Sequence, residues 1–230
     1  MTAVVNFTLD GRTVQGRAGE TIFDVAQREG ISIPHLCHKP GLTPAGNCRA
    51  CMVEVAGERT LAASCCRVAS EGLAVQTASE RALKSQRLVL ELLQADLPET
   101  ALTRHNEVDE WSQRLGVGKP RFAPRPVLSA DSSHPAITVI LDACIQCTRC
   151  LRACRDEQAN DVIGLALRGA HAKIVFDMDD AMGASSWLPT RRFRRACPWS
   201  SFRKGVLTVC QLLTSGRGRA RSGRCVEANC

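Results

Sequence analysis

Apolar and polar residues alternate along Val4–Leu9, the period of a strand with one buried face, and the alternation ends at Asp10-Gly11, a hairpin turn signal. Thr13–Arg17 is then the return strand. From Glu20 and Thr21 the period lengthens. Ile22, Phe23, Val25 and Ala26 share one helical face, and Gly30 offers a stop. Ile31–Ala50 has no period and carries Pro34, Pro40, Pro44, Gly41 and Gly46, so it reads as a loop. Met52–Val55 and Thr60–Ala63 read as strands around Gly57-Glu58, and Ala74–Thr77 closes the set. Residues 81–115 read as helical, with Leu83, Leu88, Leu90, Leu92 and Leu93 on a buried face and Trp111 and Leu115 anchoring a second helix. Lys119–Pro135 holds four prolines and reads as a linker. Ile137–Leu141 and Lys173–Phe176 are further strands.

These patterns predict an α+β chain in four stretches: a small β-rich domain at 1–80, a helical spacer and linker at 81–135, a second small domain at 136–205, and a basic, disordered tail at 206–230. The tail carries the charge. Residues 191–230 hold ten Lys/Arg against one acid, whereas residues 1–190 hold twenty against twenty-two. The body therefore gives no reason to expect nucleic acid or an anionic membrane. No run approaches the roughly 18 apolar residues of a membrane span, and Met1–Asp10 does not read as a leader, so a cytoplasmic chain is expected. Thirteen cysteines exceed what a core needs, and in a reducing compartment an odd count favours metal ligation over disulfides.

Cys37, Cys48, Cys51 and Cys65 are spaced C-x10-C-x2-C-x13-C. A [2Fe–2S] cluster needs four thiolates, two on each iron. Cys48 and Cys51 can reach one cluster from a single turn, and Gly46, Asn47, Arg49 and Ala50 let backbone N–H groups point at its sulfides. A structural zinc site usually uses two close C-x2-C pairs, and only one close pair exists here. Unrelated buried cysteines are the other alternative, which clustering on one loop disfavours. His35 and His38 read as solvated loop residues.

Cys144, Cys147, Cys150 and Cys154 form C-x2-C-x2-C-x3-C, the bacterial ferredoxin run. Three cysteines spaced by two wrap one face of a [4Fe–4S] cubane, whose fourth thiolate comes from a distant cysteine, while the last of the run turns to the other cluster of a pair. The distant partner is Cys197, in Ala196-Cys197-Pro198. Such a run oversupplies a tetrahedral zinc ion.

The stretch PHLCHKPGLTPAGNCRACMVEVAGERTLAASCCR resembles the N-terminal ferredoxin-like domain shared by an iron–sulfur subunit of complex I and the α subunit of NAD-dependent formate dehydrogenases. HPAITVILDACIQCTRCLRACRDEQANDVIGLALRGAHAKIVFDMDDAMGASS resembles the formate dehydrogenase subunits over its whole length. The resemblance implies a β-grasp domain around one [2Fe–2S] cluster ligated by Cys37, Cys48, Cys51 and Cys65, with Cys66 a bystander, and then a bacterial two-cluster-ferredoxin-like domain. It implies a relay function: formate is oxidised at a molybdopterin centre, and electrons pass through iron–sulfur clusters to a flavin subunit that reduces NAD. No Gly-rich dinucleotide fingerprint occurs, so flavin and NAD belong to a partner subunit. The molybdopterin-containing catalytic domain is expected beyond residue 230, so the chain by itself is not expected to be a complete enzyme.

Two departures from the family carry information. The complex I relatives open a further [4Fe–4S] site with His-x3-Cys. His105 falls near that position, but four residues on stands Asp109, and no cysteine lies between Cys66 and Cys144. This favours the formate dehydrogenase branch. After GASS the family repeats C-x2-C-x2-C-x3-C-P, where this chain has Trp187, Thr190, Phe193 and Cys197. One [4Fe–4S] cluster on Cys144, Cys147, Cys150 and Cys197 is therefore expected. The second, left with Cys154 as its residual ligand, is expected to be lost. Cys210, Cys225 and Cys230 have no ligand spacing. Two rival readings stand beside the relay. One is a metal-stabilised binding module whose arginines grip nucleic acid, against which the tail offers few aromatics for stacking; the other is a truncated product without activity.

Overall fold

The alternating stretch forms β1 (Val4–Leu9), paired antiparallel with β2 (Arg12–Arg17) from Val4↔Arg17 to Leu9↔Arg12. Asp10 and Gly11 both take positive φ, 51° and 79°, which brings the strands back with their natural twist. The helix α1 (Ile22–Arg28) starts at Thr21 with a reciprocal cap: Thr21 Oγ1 accepts from the Asp24 N–H at 3.2 Å, and the Asp24 carboxylate accepts from the Thr21 N–H at 3.3 Å. Its apolar face lies close over β2, because a Cβ at Gly16 would stand 3.2 Å from Val5 and 3.4 Å from Val25. Then β3 (Met52–Val55), β4 (Ala62–Ala63) and β5 (Ala74–Gln76) complete a five-stranded sheet of order β2-β1-β5-β3-β4. The β1–β5 pair is parallel and the others are antiparallel. Phe7, Leu9, Ile22, Val25, Val53, Val55 and Val75 fill the core between sheet and helix. The Asp10 carboxylate accepts from the Thr77 N–H and Oγ1 at 2.7 and 2.6 Å, so the first turn also anchors the end of β5.

This computed structural model describes residues 4–98, 106–134, 137–157, 159, 161–184 and 207–208. They divide into two units, Met1–Ala95 with Glu107–Phe122, and Asp96–Asn106 with Ala123–Cys230. The helices α2 (Glu80–Asp96) and α3 (Glu107–Leu115) thus belong almost wholly to the first unit and are not a separate spacer. The buried stripe of α2 is Ala82, Gln86 and Leu90, whereas Leu88 and Leu92 are exposed. Counting leucines misplaced the face because a buried glutamine holds it: Gln86 Nε2 donates to the Met52 and Thr77 carbonyls at 2.8 and 3.1 Å. Trp111 of α3 packs its ring 5.7 Å from His35, and Glu107 pairs with Lys39 at 3.0 Å.

In the second unit, β6 (Asp131–His134) pairs antiparallel with β7 (Ile137–Ile140), inside and just after the proline-rich stretch read as linker. A 3-10 turn at Leu141–Ala143 leads into Cys144, and the single-turn helix α4 (Arg149–Arg152) widens into a π-type turn at Ala153–Glu157. The hairpin β8 (Ile163–Ala166) and β9 (Lys173–Phe176) follows, in register from Ile163↔Phe176 to Ala166↔Lys173. Two residues of the stretch read as tail form β10 (Leu207–Thr208), parallel to β7. Among the described residues no helix is long and apolar enough to cross a membrane.

Glu91 supplies a pH-dependent brace. Arg121 donates to it through Nε at 2.7 Å and Nη2 at 2.8 Å, which holds the Glu91 carboxyl below the ordinary 4.5. A carboxylate with a lowered folded-state pKa stabilises the fold above its unfolded value and loses that contribution as pH falls through the lowered one. Urea unfolding should therefore show Glu91→Gln less stable than the parent near neutral pH, and the two converging in acid.

Candidate metal centres

The loop 31–50 brings Cys37 and Cys48 together, with the Cys37 N–H donating to Cys48 Sγ at 3.4 Å. Gly46 and Arg49, both at positive φ, curl the chain around Cys48. The other two cysteines are set by strand pairing. Cys51 precedes β3 and Cys65 follows β4, and the register Met52↔Ala63 brings them across from each other. Their sulfurs lie 3.3 Å apart, both residues are buried, and Ser64 donates to the Cys51 carbonyl through its N–H and Oγ at 3.1 and 2.8 Å. That separation is too long for a disulfide of about 2.05 Å and close to the span of about 3.8 Å between two thiolates on one tetrahedral metal with bonds of about 2.3 Å.

The thiol acidities link the four sulfurs into one group. Cys48 holds the Cys37 thiol far below its ordinary range, and Cys37 in turn pushes Cys48 up. Cys65 brings Cys51 down to about 7, while Cys65 is pushed up by Cys37 first and then by Cys51. The mutual influence of Cys37 and Cys65 joins the two pairs. No three His, Cys, Asp or Glu side chains among the described residues are arranged to hold one ion. Two joined pairs of soft cysteine sulfurs are instead the donor set of a [2Fe–2S] cluster, so the residues fit that group.

The structure corrects one reading at this site. His35 and His38 are not solvated: their rings stand 4.8 and 4.5 Å from Phe23, and His35 Nδ1 donates to the Ile33 carbonyl at 2.9 Å. They pack the start of the loop against α1, on either side of Cys37. Cys66 is exposed, and its sulfur lies 3.7 Å from that of Cys65.

In the second unit Cys144, Cys147 and Cys150 ring a loop in which Gln146 and Thr148 take φ of 55° and 56°. The Gln146 N–H donates to Cys144 Sγ at 3.4 Å, and its side-chain amide donates to the Ala172 carbonyl at 2.8 Å. Burial, then the neighbouring Cys147 and Cys144, pushes the Cys150 thiol up. Burial likewise raises Cys144 and Cys154. Cys154 is set against the start of β8, where the Val162 and Ile163 backbone groups bond it. Cys197 lies outside the described residues, as do His105, Trp187, Thr190, Phe193, Cys210, Cys225 and Cys230.

Sequence reading missed the arginines of this loop. Arg149 and Arg152 are 1% and 3% exposed, and Arg152 donates to the Cys147 carbonyl and Thr148 Oγ1, both at 3.3 Å. Arg125, from the stretch read as linker, reaches the carbonyls of Leu141, Asp142 and Cys144 at 2.9–3.1 Å. Their spacing in T-R-C-L-R-A-C carries a faint signal, but a charged residue in a loop is ordinarily solvated, and burial hides this exception.

A sheet-and-helix unit that brings four cysteines together in pairs suits a ferredoxin-type iron–sulfur fold, and residues 2–80 match the 2Fe-2S iron-sulfur cluster binding domain. The chain is 34% identical over 179 residues to the mitochondrial NADH-ubiquinone oxidoreductase 78 kDa subunit of Candida albicans, covering 75% of this chain and 25% of that one. It is 26% identical to YrhE of Bacillus subtilis, an inferred formate dehydrogenase, covering 79% and 19%. A chain in the crystal structure of NAD+-reducing [NiFe]-hydrogenase in the H2-reduced state superposes with a TM-score of 0.70 at 28% identity, covering 80% of each. Residues 2–80 are thus a [2Fe–2S] cluster binding domain, and the chain as a whole is similar to parts of these NADH dehydrogenase, formate dehydrogenase and hydrogenase proteins. It spans about a quarter of the length of the curated relatives it matches.

Arg125→Ala would leave the carbonyls of Leu141, Asp142 and Cys144 without their guanidinium. Calorimetry should register a loss of about 1–3 kcal/mol in the transition of the second unit, with that of the first unit unmoved.

Proposed function

We propose that the chain relays single electrons through one [2Fe–2S] cluster on Cys37, Cys48, Cys51 and Cys65 and one [4Fe–4S] cluster on Cys144, Cys147, Cys150 and Cys197, within an NAD-linked oxidoreductase of the formate dehydrogenase type. The observation that carries it is the pairing of four cysteines, three of them buried and Cys48 half-buried, with the Cys51 and Cys65 sulfurs at 3.3 Å and the Cys37 N–H on Cys48 Sγ at 3.4 Å. Bound clusters supply one-electron carriers whose potentials depend on burial, charge and hydrogen bonds to sulfur. The chain's own residues do the rest. Cys37 with Cys48, and Cys51 with Cys65, divide the first donor set two by two. Ser64 and the β3–β4 pair hold the second of those pairs in place. Arg152, buried, holds the Cys147 carbonyl, and Arg125 brings positive charge towards Cys144 in the second site. The sheet order with a parallel β1–β5 pair supports the β-grasp reading of the first unit.

A flavin- and NAD-binding subunit and a molybdopterin-containing catalytic domain are the proposed partners, in the cytoplasm. The formate branch is supported by the missing cysteine between Cys66 and Cys144. A hydrogenase relay is the second reading, supported by the likeness to a chain of similar length in a NAD+-reducing hydrogenase.

Iron analysis of the reconstituted chain should give about six irons with matching acid-labile sulfide, against about ten if both cubanes form. Cys197→Ser should remove the cubane signal from electron paramagnetic resonance spectra, and Cys154→Ser should leave it. Stoichiometric zinc without sulfide would overturn the relay altogether. The purified 230-residue chain should not turn over formate with an artificial acceptor. In a complex isolated with its partners, reduction of the clusters by formate supports the favoured branch, whereas reduction by hydrogen alone replaces it with the second.

A further inference from the structure

Cys65 and Cys66 are adjacent, and side chains of neighbouring residues normally diverge. Here they do not. The Cys66 sulfur lies 3.7 Å from that of Cys65, which is itself 3.3 Å from that of Cys51. The backbone turns tightly at this point, with the Cys66 and Arg67 N–H groups both donating to the Ala63 carbonyl at 2.9 Å. Cys66 also leans back over the loop that carries Cys48. A Cβ on residue 46 would stand 3.0 Å from its sulfur, so the glycine there leaves the space that the Cys66 thiol occupies. Three sulfurs therefore share the edge of the site between the end of β4 and the 46–51 loop, where a two-iron cluster needs two.

We propose that Cys66 is a reserve ligand of the [2Fe–2S] site, able to take the position of Cys65. This rests on the reading of Cys37, Cys48, Cys51 and Cys65 as the resident ligands. The exchange is redox-neutral. The bond from Cys65 sulfur to iron breaks, one from Cys66 sulfur forms, and the proton leaving the Cys66 thiol passes to the released Cys65 thiolate or to water. A rotation of the exposed Cys66 side chain covers the short distance between the two sulfurs, whereas Cys65 is buried and fixed. The site thereby tolerates loss or oxidation of its fourth thiolate without losing its iron.

The test compares Cys65→Ala, Cys65→Ser, Cys66→Ser and the two double variants in the full chain, by spin counting of the reduced [2Fe–2S] signal and by circular dichroism. The parent and Cys66→Ser should give the same signal. Each Cys65 variant should keep at least about half the parent spin count with altered g-values and midpoint potential, while its double with Cys66→Ser falls about tenfold or more. Iodoacetamide should label Cys66 in the loaded parent but not in loaded Cys65→Ala. A folded Cys65 variant with no more signal than its double sinks the proposal, and so does one that unfolds, because the reserve thiol should have kept cluster and fold together. A parent chain without any [2Fe–2S] signal would instead sink the underlying reading of the site.

Discussion

The first unit is organised by one constraint: four cysteine sulfurs, three of them on buried residues, must be brought within reach of one another. Burial raises the cost of a thiolate, while a neighbouring thiol lowers it by donating a hydrogen bond. Cys37 and Cys51 fall while Cys48 and Cys65 rise, the response of sulfurs paired with one another. The sheet serves the same end: β3 and β4 pair only briefly, but that pairing fixes Cys51 opposite Cys65. The capped α1 and the Phe23–His35–His38 cluster hold the loop that must deliver Cys37.

The second unit meets the same demand differently. It has a smaller core, built on Val139, Ile163, Ile174, Phe176 and Met182, and a loop strained into left-handed conformations at Gln146 and Thr148. Such conformations persist only where surroundings over-determine them. Here arginines do so. Arg125 gathers the carbonyls of Leu141, Asp142 and Cys144, and Arg152 reaches the Cys147 carbonyl from within. Guanidinium groups buried beside thiols are costly unless negative charge accumulates nearby. A loop that concentrates thiolates supplies that charge.

The relatives divide this architecture among several oxidoreductases. That fits a fold whose role ends at holding redox centres and leaves substrate chemistry to other domains. The ligand spacing carries the class of chemistry but not the reaction partner. Formate, hydrogen and quinone systems differ in what lies around the relay, and the chain spans only about a quarter of its curated relatives.

Much of the first unit is legible in the residues themselves. The alternation of Val4–Leu9, the Asp10-Gly11 turn, the Thr21 cap and the face of Ile22, Phe23, Val25 and Ala26 are local signals, and local signals need no knowledge of what packs against them. Cysteine spacing likewise names its chemistry, because ligand number and reach are set by the metal. What depended on the fold was everything decided by neighbours distant in sequence. Leu88 and Leu92 face outward because Gln86 finds the carbonyls of Met52 and Thr77. His35 and His38 are packed because Phe23 and Trp111 come to meet them. Strand β6 forms in a proline-rich stretch because β7 offers it a partner. Cys66 stands beside the cluster ligands because the chain doubles back at Ala63 and residue 46 has no side chain. Composition and spacing determined which side chains are candidates for binding and the class of group they suit; burial and proximity, which exist only once the chain has closed, decided how those side chains are held and which others stand within reach.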